Sequence, residues 1–103
     1  MKVTDTYYLN SGESVTIPAM AFRRAIAVPL LLAVTQNLKQ SSELQLYVNG
    51  AVVAKVKADA GSIECNNWTG FIESGASPTI KVTSSSSSGG ETTHCVTILV
   101  GNA

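Results

Sequence analysis

The stretch SELQLYVNGAVVAKVKA, residues 42–58, holds two runs in which aliphatic side chains recur at every second position. Leu44, Leu46 and Val48 alternate with Gln45, Tyr47 and Asn49; after Gly50, Val52, Ala54 and Val56 alternate with Val53, Lys55 and Lys57. Successive side chains of a strand point to opposite faces, so a period of two buries one face and leaves the other polar. Asn49-Gly50 lies between the runs, and a type I′ turn needs φ > 0 at both central residues, which Asn and Gly supply. A register slip of one residue would turn every large aliphatic of the hairpin to water. The stretch therefore predicts a β-hairpin and anchors an all-β reading of the chain.

Toward the N-terminus, Lys2 to Asn10 alternates Val3, Asp5, Tyr7 and Leu9 with Lys2, Thr4, Thr6 and Tyr8, a first strand. Asn10-Ser11-Gly12-Glu13 is a turn cluster. Ser14 to Pro18 is a second strand that proline ends, because proline cannot donate to a ladder. Ala19 to Arg24 is a link, with Met20 and Phe22 expected in the core. Arg23-Arg24 reads as a solvated edge, with a polar contact to a ligand or partner as the alternative.

Ala25 to Thr35 (AIAVPLLLAVT) admits two readings. Its Ala and Leu suit a helix, but Pro29 in a helix interior would cost about 3 kcal/mol. As a strand it sorts into Ile26, Val28, Leu30, Leu32 and Val34 on one face, and Ala25, Ala27, Pro29, Leu31 and Ala33 on the other. The strand is the expected form, with Pro29 marking a bulge or an edge. A strand apolar on both faces is covered on both, so the Ala25, Ala27, Leu31 and Ala33 face is expected to meet another subunit.

Toward the C-terminus, Gln36 to Ser42 is a polar loop and Asp59 to Ser62 a turn. Ser62 to Ser74 carries Ile63, Cys65, Trp68, Phe71 and Ile72, interrupted by Asn66-Asn67 and Gly70, which suggest a bulge or a second tight turn within it. Thr79 to Ser84 is a strand with Ile80 and Val82 inward, and Ser84 to Thr93 is a low-complexity loop. Cys95 to Val100 closes the pattern, with Val96, Ile98 and Val100 inward and a central place in its sheet. About eight short strands with turns between them predict a single antiparallel β-sandwich domain, jelly-roll-like in form.

Composition sets the outer bounds. The 103 residues make one domain with a thin core. Hydrophobic residues are 45% and charged residues 14%, below the usual share of about 25%, which favours a surface partly given to protein contacts. Seven basic and seven acidic residues give a formal net charge of +0, arguing against nucleic acid and against an anionic membrane surface. The apolar run Ala25 to Val34 is about half the ~20 residues a transmembrane helix needs. No basic n-region with an apolar h-region opens the sequence, so synthesis in the cytoplasm without a signal peptide is expected.

Two cysteines, Cys65 and Cys95, are expected as reduced, partly buried thiols; a disulfide is the alternative if their strands are neighbours. Their spacing is not that of a zinc site. His94, the single histidine, adjoins Cys95 and so points to the opposite face of a strand; a His94–Cys65 pair across strands is a minor alternative. Asp5, Glu13, Glu43, Asp59, Glu64, Glu73 and Glu91 fall mostly in turns and at strand ends, and no spacing pairs them for acid–base work. No phosphate-loop, dinucleotide, zincin or EF-hand motif is present. No catalytic residue, metal or cofactor is expected, and the chain is read as a non-enzyme. Tyr47, Asn66, Asn67 and Trp68 combine aromatic faces with amides, a pattern suited to a glycan contact; the competing reading places Trp68 and Phe71 as caps on the core.

SGESVTIPA (residues 11–19), SELQLYVNGAVVAKV (42–56) and THCVTILVG (93–101) together resemble small jelly-roll modules of bacteriophage virions: head-decoration proteins, head fibres and tail-fibre tips. The layout is also similar to the trimeric C1q/TNF-like sandwich. The resemblance implies a non-enzymatic virion protein that decorates or cements a capsid or tail as a symmetric homo-oligomer, a homotrimer in the favoured form. Two alternatives accompany it: a carbohydrate- or receptor-binding module of a phage fibre or tail, and a small phage-encoded inhibitor of a host protein.

Overall fold

The computed structural model describes residues 1–35, 41–59, 61–86 and 95–103, the side chain of Ser86 excepted. These residues form eight strands and no helix: β1 (Lys2–Asn10), β2 (Ser14–Thr16), β3 (Arg24–Val34), β4 (Ser42–Val48), β5 (Ala51–Ala58), β6 (Ile63–Ile72), β7 (Thr79–Ser86) and β8 (Cys95–Asn102). Two four-stranded sheets result, sheet I in the order β1-β8-β3-β6 and sheet II in the order β2-β7-β4-β5. Every pairing is antiparallel. Only β4–β5 joins neighbours within one sheet; every other connection carries the chain to the opposite sheet. This is jelly-roll winding, two sheets packed face to face.

The β4–β5 hairpin forms in the expected register, Ser42 opposite Ala58 and Val48 opposite Ala51. Asn49 and Gly50 have φ of 51° and 81°, as a type I′ turn requires. Asn49 is also tied to β7: its N–H donates to the Thr79 carbonyl at 2.9 Å, and its Oδ1 accepts from the Thr79 N–H at 3.0 Å. One detail departs from strict alternation. The register shifts between Leu46 and Tyr47, so Val52 comes opposite Tyr47 and is exposed instead of sharing the inner face with Val56.

β3 is a strand, but its faces are not the expected ones. Val28 pairs with Trp68 and Leu31 with Asn66, so Pro29 and Leu30 together stand opposite one residue of β6. This bulge shifts the phase by one. Ile26 and Val28 point inward before it; Leu31 and Ala33 point inward after it, both 0% exposed, while Leu30 is 51% and Leu32 37% exposed. Proline suits the extra position because it has no N–H to lose from the ladder.

The core is one layer between the sheets. Val28, Leu31, Ile98 and Val100 of sheet I meet Leu44, Leu46, Ile80 and Val82 of sheet II, all fully buried. Each such side chain contributes about 1.5–3 kcal/mol of burial free energy. Met20 and Phe22, expected in this layer, are instead exposed in the link after β2. β8 is central in sheet I, between β1 and β3, as expected. β7 runs to Ser86, two residues past the expected end. The remainder of the expected serine-rich loop, most of the 36–42 loop and His94 lie outside the described residues.

Candidate functional site

The two sheets differ in what they turn outward. The outer face of sheet I is built by alternation from four strands: Val3, Thr6 and Tyr8 of β1; Thr97, Leu99 and Gly101 of β8; Ala25, Ala27, Leu32 and Val34 of β3; Ile63, Cys65, Thr69 and Phe71 of β6. None of these side chains is charged. Tyr8, Ile63 and Phe71 are 66%, 68% and 57% exposed, and Leu30 stands out beside them at the bulge. One rim is charged: the Arg23 guanidinium lies 3.8 Å from the Phe71 ring centroid and pairs with Glu73 at 2.9 Å.

The expected subunit face is therefore corrected. Ala25 and Ala27 lie half-buried on the outer surface, but Leu31 and Ala33 belong to the interior. The Pro29 bulge separates the two pairs, and Leu32 and Val34 take the outward positions.

The outer face of sheet II is polar. Glu43, Gln45 and Tyr47 of β4 form a row: the Tyr47 hydroxyl donates to Gln45 Oε1 at 2.5 Å, and Gln45 Nε2 donates to Glu43 Oε1. The phenol thus bends back along its own strand. On one side, Tyr47, Gly50, Thr79, Lys81 and Thr83 line a half-open cleft of about 360 Å³. On the other, Gln45, Val52, Val53, Ala54 and Lys55 line a shallower groove. Thr16 and Thr79 share a hydroxyl–hydroxyl hydrogen bond of 3.0 Å at the β2 border. Among the described residues, no acidic side chain pairs with Lys55 or Lys81.

The four residues expected at a glycan contact do not converge. Tyr47 is on sheet II. Trp68 is half-buried on the inner side of β6, packed against the core and folded over Gly70, where an added Cβ would lie 2.7 Å from the indole ring. Asn66 Nδ2 donates to the Lys55 carbonyl at 3.0 Å and closes the open side of the sandwich, while its Oδ1 accepts from the Asn67 N–H. Asn67 is exposed opposite the bulge. Phe71, expected as a possible core cap, faces outward. The partners that do surround Tyr47 come from β7, far along the chain, through the β4–β7 register that sets Tyr47 opposite Lys81.

Both cysteines are free and exposed, which corrects the partly buried expectation. They lie on β6 and β8, which β3 separates, so the neighbouring-strand condition for a disulfide is not met. Arg24 is also corrected: it is not a solvated edge but 4% exposed, its Nη2 donating to the Pro18 carbonyl at 2.7 Å and its Nε without a partner. Carboxylates serve local roles. Glu13 Oε1 accepts from the Asn10 N–H at 2.7 Å in the β1–β2 turn, and Glu73 holds Arg23. Among the described residues, no three His, Cys, Asp or Glu side chains gather as metal ligands. Comparison of the chain with protein-family models finds no match, and comparison with curated proteins finds none.

Proposed function

We propose that this chain is a non-enzymatic structural protein that associates with copies of itself through the outer face of sheet I, and that the resulting homo-oligomer decorates or cements a phage capsid or tail. The observation that supports the self-association is the uncharged, apolar character of that face, set against three lysines and a glutamate on the outer face of sheet II. A face without charge meets its own copy without like-charge repulsion, and closed symmetric contacts are the common outcome for identical chains. Four strands about 4.8 Å apart and some nine residues long give a footprint of roughly 600 Å² before side-chain relief, close to the ~800 Å² per partner of a standard interface. The virion role rests on the resemblance carried by residues 11–19, 42–56 and 93–101.

Sedimentation or light scattering of the purified chain tests the association. The wild type is expected as a closed oligomer, and Ala27→Lys with Leu32→Lys as a folded monomer with unchanged β-sheet circular dichroism. A wild type that stays monomeric at high micromolar concentration would overturn the proposal. Mass spectrometry of virions assembled with and without the encoding gene tests the location; absence of the chain from the particles removes the virion role while leaving the association standing.

A further inference from the structure

We infer that the cleft between β4 and β7 on sheet II binds a carboxylate-bearing sugar, with Tyr47 as its platform and Lys81 as its charge partner. The cleft is on the face away from the association surface, so this site is independent of that reading and remains open in the oligomer.

Three observations carry it. First, the Tyr47 ring is held rather than loose: its hydroxyl is committed to Gln45, which is in turn committed to Glu43. A fixed aromatic offers an apolar surface at little further entropic cost on binding, and the C–H face of a pyranose is the matching apolar surface. Second, the cleft volume of about 360 Å³ lies at the small end of ligand sites. Its other wall carries the Thr83 hydroxyl, able both to donate and to accept as sugar hydroxyls require, and the Thr79 hydroxyl, which shares one hydrogen bond with Thr16 and offers a sugar its remaining capacity. Gly50 keeps one end open. Third, Lys81 stands directly across from Tyr47 with no carboxylate bound to it among the described residues. One unpaired ammonium matches a single negative charge, and a charge-assisted hydrogen bond to a carboxylate is stronger than a neutral one.

The row also gives the site a direction. Lys81 is level with Tyr47, whereas Glu43 lies at the far end, level with Ser85. A sugar carboxylate is drawn to the Tyr47 end and repelled from the Glu43 end. Lys55, level with Gln45 on the opposite flank, places a second ammonium two strand spacings across and two residues along, roughly 12 Å away. A short acidic oligosaccharide crossing β4 meets both, so it should bind more tightly than the monosaccharide.

The test is an amide NMR titration of the full chain with α-1,4-linked trigalacturonate, with the neutral α-1,4-linked galactose trisaccharide as control. The expected result is saturable shifts at Tyr47, Thr79, Lys81 and Thr83, with the acid preferred about tenfold. Tyr47→Ala should weaken both ligands about tenfold, Tyr47→Phe should weaken them less, and Lys81→Gln should cut the preference for the acid several-fold, Lys55 keeping the remainder. Shifts scattered over all lysines, with Tyr47→Ala binding as wild type, would show plain charge attraction and overturn the site. No shift with either saccharide at millimolar concentration would overturn it as well. The Ala27→Lys/Leu32→Lys chain should bind as wild type does.

Discussion

Truncating Leu31 and truncating Leu30 to alanine should have opposite consequences, although the two residues are chemical equals and adjacent. Leu31 is fully buried between the sheets, paired with Asn66 of β6, whereas Leu30 stands half-exposed at the bulge. Removing a leucine side chain from a closed interior costs about 3 kcal/mol, from lost transfer and the cavity left behind. In a domain of this size 1 kcal/mol moves the midpoint by about 4–8 °C, so Leu31→Ala should lower Tm by roughly 12–24 °C. Leu30→Ala removes atoms already in contact with water, and surface changes usually stay within about 0.5 kcal/mol, a few degrees at most. The measurement is thermal and urea unfolding followed by circular dichroism, at low micromolar concentration so that association does not enter. The urea slope should be unchanged in both variants, since the surface exposed on unfolding barely differs. Equal losses, or a larger loss at Leu30, would mean that the strand alternates without interruption through Pro29, and the account of both sheet faces would fail.

Further outcomes follow from other positions. Gly101→Ala should cost about 1–3 kcal/mol by urea unfolding, because the added Cβ would lie 2.1 Å from the Lys2 carbonyl oxygen, a backbone atom of β1 that cannot swing away. Gly50→Ala should cost only about 1 kcal/mol: its φ is 81° but open space surrounds the position, so the penalty is one of backbone conformation alone. Arg24→Met should leave stability unchanged or raise it by about 1 kcal/mol, since burying a cation that has no acid partner among the described residues outweighs one hydrogen bond to Pro18; a loss above about 2 kcal/mol on the same assay would show that the guanidinium has a stabilising partner. Gly70→Ala should displace the Trp68 ring and shift its fluorescence emission to the red, whereas an unchanged spectrum would place the indole elsewhere.

The hairpin could be read because two signals coincide there. Alternation alone would allow a strand anywhere from Ser42 to Ala58, and Asn49-Gly50 pins the turn. β3 could be read as a strand but not assigned its faces, for an identifiable reason. Leu30, Leu31 and Leu32 are apolar in either phase, so periodicity carries no information at the place where the phase changes. Pro29 was the available signal; taken as a certain bulge, it would have moved Leu31 and Ala33 inside. The polar cleft was half visible. Tyr47 is outward by alternation, but its company of Thr79, Lys81 and Thr83 depends on β4 pairing with β7, a long-range register that no local pattern encodes. Trp68 admitted two readings, because an aromatic beside two asparagines suits a sugar as well as a core; its place opposite Val28 on the inner side of β6 makes it the core cap.

The position of β8 bears on how the chain is made. β1 and β3 each pair with β8 and not with one another, so β1 cannot join the sheet until Cys95–Asn102 has been synthesised and is free to slot between them. Until then the unfinished polypeptide carries two unsatisfied strand edges of opposite origin, the kind of intermediate that pairs with the wrong molecule. Only the β4–β5 ribbon can mature locally. Expression yield should therefore respond more to chaperone capacity and to translation speed near the last strand than to the final stability of the folded domain.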